Sequence, residues 1–141
     1  MARRVLLGLL LACAAGCTSL QTGPDSKNEL PFGWVDEPTN GQVVIERNVT
    51  SHGWTLDDNT VSKVHVYLDG HYLTQTTITE ARPDVIKTYP RYAHGNDTHG
   101  WKLIIHLPTG VPLGPHKLVF QAVDNQGATR DIGTADVRLD R

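Results

Sequence analysis

"KVHVYLDG", residues 63–70, decides how the chain is read. Val64, Val66 and Leu68 fall on one side of an extended chain, and Lys63, His65 and Tyr67 on the other. That period of two fits a half-buried strand and not a helix. Asp69-Gly70 ends it with a dipeptide that tolerates the positive φ angles of a two-residue hairpin, so "HYLTQTTI" (71–78) is the return strand. Downstream, "WKLIIHL" (101–107) sets Trp101, Leu103, Ile105 and Leu107 on one face, and "HKLVFQAV" (116–123) does the same with Leu118, Phe120 and Ala122. "DNQG" then turns the chain into "RDIGTADVRL" (130–139). Upstream, "GQVVIE" (41–46) and "NVTSHGW" (48–54) supply the first two strands. No stretch carries the 3.6-residue repeat of a useful amphipathic helix. Seven short strands with turn signals in about 100 residues predict an all-β fold, a single seven-stranded Ig-like β-sandwich, with a small open barrel as the alternative.

Between two of these strands runs "ITEARPDVIKTYPRYAHGNDTHGW", residues 78–101. A structureless loop of about 20 residues is uncommon in a compact domain, so part of it is expected to be ordered. Pro83 suits the first position of a helix, and Asp84 favours the positive helix end. Tyr89, preceding Pro90, is pushed out of helical geometry. "PDVIKT" therefore reads as one short helical turn with Val85 and Ile86 tucked in, and Arg82 as bonded to backbone carbonyls or a nearby acid. "PRYAHGNDTH" is the freer part.

"SHGWTLDD", "VSKVHVYLDG", "ARPDVIKTYP", "GPHKLVFQAVDNQG" and "IGTADVRL", in that order, resemble a bacterial Ig-like module of extracellular and envelope proteins. The resemblance covers about residues 34–139; its most specific parts are Val66 to Gly70 and Arg82 to Val85. It implies a sandwich fold and an accessory role, and no activity of its own.

The N-terminus has Arg3 and Arg4, an apolar run from Val5 to Ala12, and small residues Ala14, Ala15 and Gly16 before Cys17. These are the parts of a secretory signal, and the apolar run is too short to span a bilayer. "AAGC" resembles the lipobox of bacterial lipoproteins, with Ala14 where leucine is commoner. The resemblance implies lipidation at Cys17 and, with Thr18 following, an outer-membrane address where the organism has one. The domain expectation is a lipoprotein signal peptide over 1–16, lipidated Cys17 and a flexible tether over 17–30, and the Ig-like domain over 31–141. No cysteine follows Cys17, so the fold has no disulfide and its core alone must hold it. Removing Arg3 and Arg4 from 13 basic residues leaves 11 against 15 acidic ones, a formal charge of −4. That balance argues against nucleic acid and anionic lipid as main partners.

If each strand reverses the last, the loop "LDDNTVS" (56–62), the segment 79–99 and the loop at 124–127 emerge at one end, as binding loops do in variable immunoglobulin domains. Asp57, Asp58, Asn59, Asp84, Arg91, Tyr92, His94, Asp97, His99, Asp124 and Asn125 could converge there. Of these, Arg91, Tyr92, His94, Asp97 and His99 are the ligand-binding candidates. Asp57, Asp58 and Asp124 are the carboxylates for a calcium reading, since Ca²⁺ takes six to eight oxygens. Against that reading, there is no dense acidic loop, and turns recruit Asp and Asn for local reasons. The seven histidines repeat no zinc spacing and read as solvated, with His65 and His106 on outward faces. A nucleophile elbow and a phosphate-cradling glycine loop are both missing, so no catalytic residue is nominated; a hydrolytic carboxylate pair, being set in space, stays as a remote alternative. Trp54 and Trp101 read as core, and exposed aromatics elsewhere would give a sugar-stacking platform. The functional expectation is a non-catalytic, lipid-anchored envelope protein needing no cofactor. It binds an envelope or extracellular protein or polysaccharide through its loop end. The competing expectation is an accessory subunit that docks through a sheet face carrying His65 and Tyr67, or through an edge strand.

Overall fold

Alternation of apolar residues is carried through into two packed sheets. The computed structural model describes residues 28–141. The signal, Cys17 and residues 18–27 of the tether lie outside the described residues. The described residues form nine strands: β1 Phe32–Glu37, β2 Gln42–Val44, β3 Asn48–Leu56, β4 Val61–Leu68, β5 His71–Thr77, β6 Glu80–Ala81, β7 Thr98–His106, β8 Gly114–Asp124 and β9 Thr129–Leu139. One sheet has the order β1-β3-β7-β6 and the other β2-β9-β8-β4-β5. This is a β-sandwich of the expected type, with the seven predicted strands present. The two additions are β1, which pairs antiparallel with β3, and the two-residue β6, which pairs with β7. Both were hidden because short edge strands carry little apolar alternation. The N-terminal stretch changes sheets between Glu37 and Gln42: β2 runs parallel to β9 on the other side.

The hairpin at Asp69-Gly70 is as the dipeptide predicts. Both residues have positive φ, 50° and 84°, and the strands pair Tyr67 with Tyr72 and Leu68 with His71. Inside, Val64, Val66, Ile105, Leu118, Ala122 and Val137 close around Trp101, whose indole stacks on Phe120 with ring centroids 5.3 Å apart. Each fully buried aliphatic or Phe side chain contributes about 1.5–3 kcal/mol of transfer free energy. Gly53 on β3 leaves room for the Trp101 ring, because a Cβ there would lie 2.7 Å from that ring and 2.2 Å from the Trp34 carbonyl oxygen.

Trp54 is not core. On β3 the inward positions are Val49, Ser51, Gly53 and Thr55, so Trp54 falls on the outer face and is half-buried. It meets Phe32 (6.1 Å) and Tyr89 (5.6 Å), and Phe32 also meets Tyr92 at 5.0 Å. The long segment supplies this cover. Its helix, α1, spans Pro83–Thr88, buries Val85, and is followed by a 3₁₀ turn at Pro90–Tyr92. Arg82 anchors it to acids, as expected: Nη1 donates to Asp36 Oδ2 at 2.8 Å, while Nε and Nη2 donate to the Asp84 carboxylate at 2.9 and 2.8 Å. Arg82 thereby holds the Asp84 carboxyl down to about 2.

His116 departs from the solvated-histidine reading. It is 9% exposed, with Nδ1 2.6 Å from Asp69 Oδ2 and Nε2 2.7 Å from the Pro112 carbonyl. A carbonyl only accepts, so Nε2 carries a proton. The bond to Asp69, followed by that to Pro112, raises the imidazole above its ordinary pKa. "LGPHK" gave no sign of this, because Asp69 lies 47 residues away.

Candidate functional site

The loops joining β3 to β4 and β8 to β9, the segment ahead of β7 and the residues entering β1 meet at one end, and hydrogen bonds between them fix the convergence. Asn125 N–H donates to the Thr60 carbonyl at 2.8 Å. Asn28 donates through Nδ2 to Asp124 Oδ2 at 2.7 Å, and Asn59 Nδ2 reaches Asn28 Oδ1 at 3.4 Å. His94 has φ 47°, and its Nε2 donates to the Asp57 carbonyl at 3.0 Å. Asn28 and Glu29 therefore belong physically to this end.

A cavity of about 270 Å³ opens among these loops, lined by Thr55, Asp57, Asn59, Thr60, Val61, Ile78, His94, Asn96, Thr98 and His99. Asp57 is 3% exposed. Its Oδ2 accepts from the Asn59 N–H at 3.0 Å, closing the turn, while its Oδ1 has no partner among the described residues. Burial pushes the Asp57 carboxyl up, opposed by the Asn59 amide and assisted by the neighbouring Asp58 and Asp124 charges. An orphaned buried carboxylate oxygen carries a desolvation cost of about 1–3 kcal/mol, more when charged. His99 Nε2 donates to the Ala93 and Asn96 carbonyls at 3.3 and 3.2 Å. In their neutral forms His94 and His99 thus keep Nδ1 as an acceptor.

The candidates nominated from sequence divide into three groups. Asp57, Asn59, His94 and His99 surround the cavity, with Asp58 beside them. Arg91 and Tyr92 instead clasp Glu29: Arg91 Nη2 lies 2.6 Å from both carboxylate oxygens, and Tyr92 Oη donates to Oε2 at 3.1 Å. Arg91 and then Tyr92 hold the Glu29 carboxyl below its ordinary value. Asp97 is exposed, its carbonyl accepting from the Arg82 N–H at 2.7 Å, and Asp84 belongs to the Arg82 pairing and not to the cavity. Of the calcium carboxylates, Asp57 and Asp124 each commit one oxygen to turn closure, Asp124 Oδ1 accepting from the Gln126 and Ala128 amides, both at 2.8 Å, while Asp58 Oδ1 accepts from Asn59 Nδ2 at 3.3 Å. Burial alone would raise Asp124, but Asn28 and those amides hold it low. Among the described residues no group of three or more His, Cys, Asp or Glu has the geometry of a metal site. Thr60, Asn96 and Ile78 line the cavity without having been nominated, since nothing in a lone Thr, Asn or Ile announces it.

A second surface lies on the outer face of the β5-containing sheet. His65, Tyr67 and Tyr72 pack edge to face with centroids 5.4 to 6.3 Å apart, and Tyr72 is 54% exposed. Trp34, 63% exposed, borders a groove of about 410 Å³ between β1 and β9.

No protein-family model matches the chain, and no curated protein matches it. Among solved structures it is similar to the fibronectin(III)-like modules of Clostridium thermocellum CbhA, at 16% identity over 76% of this chain and 93% of that one, TM-score 0.51. A mutant of the SrpA adhesin of Streptococcus sanguinis aligns over 82% of this chain and 57% of that one, at 11% identity and TM-score 0.46. The RIG-5 IG1 homodimer aligns over 80% and 100%, at 12% identity and TM-score 0.39. The likeness is one of fold: the chain is an immunoglobulin- and fibronectin-type β-sandwich.

Proposed function

We propose that this is a non-catalytic binding module of the bacterial cell envelope. Lipid on Cys17 would hold it to the membrane, and its loop end would present a site to a protein or polysaccharide partner. The observation that carries this reading is the cavity at the loop end, where four chain segments are cross-bonded around a buried carboxylate with a free oxygen. A rigid sandwich gathering loops at one end is a common way to build a recognition surface. The lipid anchor is supported by the residue pattern from Arg3 to Cys17 alone.

The test is crosslinking and affinity capture from native membranes with the full lipidated protein, beside a His94→Ala, Asp97→Ala variant. Arg91 and Tyr92 are left intact because they hold the loop end together through Glu29, and the unfolding temperature checks that loss of the His94 bond to the Asp57 carbonyl leaves the fold standing. Loss of the captured partner from a variant with unchanged unfolding temperature supports the loop end. Retention there, with loss on changing Tyr67 and Tyr72, would move the site to the aromatic sheet face. That second reading has its own observation, the edge-to-face cluster of half-buried His65 and Tyr67 with exposed Tyr72.

A further inference from the structure

We propose that His116 is a proton-operated clasp at the hairpin pole of the sandwich. Charged, it ties the segment 107–113 to the β4–β5 hairpin; on losing its proton it keeps the hairpin and lets Pro112 and Leu113 go. Both ring nitrogens face acceptors: Nδ1 lies 2.6 Å from Asp69 Oδ2, and Nε2 lies 2.7 Å from the Pro112 carbonyl. Two bonds need two N–H groups, and a neutral imidazole has one. Deprotonation therefore breaks one tie and leaves a lone pair against an oxygen.

Which tie is lost follows from the partners. A carboxylate is a stronger acceptor than a carbonyl, so the neutral ring keeps Nδ1–H on Asp69 and turns a bare Nε2 to Pro112. The hairpin has further ties to β8: the Asp69 N–H donates to the Lys117 carbonyl at 2.9 Å, and the Lys117 N–H to Asp69 Oδ1 at 2.8 Å. Arg47 holds the first half of the segment, its Nη1 donating to the Pro108 and Val111 carbonyls at 2.8 and 2.9 Å. Past Val111, the His116 bond is the only hydrogen bond to Pro112 or Leu113 among the described residues, and Leu113 is exposed.

A pocket of about 350 Å³ lies between this segment and β5, with Leu68, Leu73, Val111 and Pro112 in its lining. Withdrawal of Pro112 removes one wall and admits water to Leu68 and Leu73. Asp69 is the charge that acts directly on the ring, and His71 on β5 acts in turn on Asp69. Lys117 and Asp136 pair with each other on the exposed face at 3.9 Å, and the Arg47 charge rests on the loop carbonyls. The Asp69 bond, followed by that to Pro112, keeps the ring charged above the ordinary histidine value, so the clasp opens as pH climbs through that higher value.

The experiment is NMR of the full chain with ¹⁵N in histidine and ¹³C in the leucine and valine methyls, titrated from about pH 5 to 9. A His71→Gln background leaves His116 as the imidazole beside Asp69. Two protonated ring nitrogens are expected at the acid end; at the alkaline end Nδ1 stays protonated and Nε2 is bare. The Leu113 methyls should become mobile with the same midpoint. A soluble paramagnetic agent should then broaden the Leu73 methyls several-fold more than at acid pH, while the Asp69 and Lys117 amides keep their protection.

Asp69→Asn reverses the choice of tie. Asn tolerates the φ of 50° at this position, accepts the Lys117 amide through Oδ1, and donates through Nδ2 to a bare His116 Nδ1. The neutral ring then keeps Nε2–H on Pro112, and the segment stays closed where the wild type opens. Retention of Nε2–H by the neutral wild-type ring, or Leu113 order unchanged across the His116 titration, overturns the clasp. Opening of Asp69→Asn at the same pH as the wild type overturns it too.

Discussion

Buried His116 is the residue through which pH should act most directly on stability. Its pKa is raised in the fold, so its contribution is complete below the ordinary histidine value and is lost as pH climbs through the higher folded value. Asp69 has the opposite sign. Burial pushes it up, but the Lys117 amide and the His116 imidazole outweigh that, so its contribution is present above the ordinary aspartate value and fades on acidification. The pair should be strongest between the two ranges, near pH 5 to 6 by their ordinary values. Chemical unfolding at pH 5.5 is expected to show His116→Ala destabilised by about 2 kcal/mol, from two bonds made by a charged group. At pH 8.5 the deficit should be smaller; a deficit that grows with pH would mean the ring is neutral. Asp57 behaves otherwise: burial raises its carboxyl, so ionising it above the ordinary aspartate value costs the fold stability. Asp57→Asn should therefore raise the unfolding midpoint at pH 7, by the equivalent of about 1 kcal/mol, and the gain should shrink as pH falls through the raised value and vanish below the ordinary aspartate value. A residue that costs stability where it stands is a common mark of a site kept for function. Neither position was legible as perturbed in the sequence. Burial made them so, together with distant partners, Asp69 at 47 residues from His116 and Asp124 for Asp57, and spacing along the chain does not report such neighbours.

At the level of strands and helix, the sequence was most informative where one face is buried. The alternation from Lys63 to Leu68 and from Trp101 to Leu107 predicted faces that the fold confirms, because water on one side and core on the other impose period two. The α1 boundaries were legible too, since Pro83 opens the helix and Pro90 forbids its continuation past Tyr89. Trp54 was misread because size outweighed register: apolar character does not say which side of β3 is the core. Gly53 is the matching case, a residue with no side chain that sets where the largest one lies. Gly53→Ala should destabilise by about 3 kcal/mol through overpacking, seen as a lower denaturant midpoint with unchanged slope. The helical strap depends on a different contact. Arg82→Met should cost about 1 kcal/mol, in keeping with a partly exposed ion-pair cluster. Amide exchange should quicken across residues 83–97 while β8 and β9 remain protected. Uniform acceleration throughout would show instead that the strap unfolds only with the sandwich.

For the molecule as a whole, long-range pairing dominates, as in the β3–β7 ladder that runs from Asn48–His106 to Trp54–Gly100. Such topologies fold in milliseconds to seconds, and with no cysteine among the described residues no disulfide shortens the search within them. The architecture also fixes a direction. β1 starts at Phe32 opposite Leu56, one residue from Asp57, so the polypeptide enters the domain at the loop end. Residues 17 to 28 can reach at most about 40 Å even when fully extended. An anchor at Cys17 would hence leash the domain by its loop end, turning Asp57 and His94 toward the bilayer and the Asp69 hairpin away from it. Its partner would then stand in or against the same membrane, and a ligand arriving from afar would meet the hairpin pole first. Paramagnetic lipid headgroups should broaden the amides of Asn59 and Gln126 and spare those of Gly70 and Val111. The reverse pattern would place the leash elsewhere.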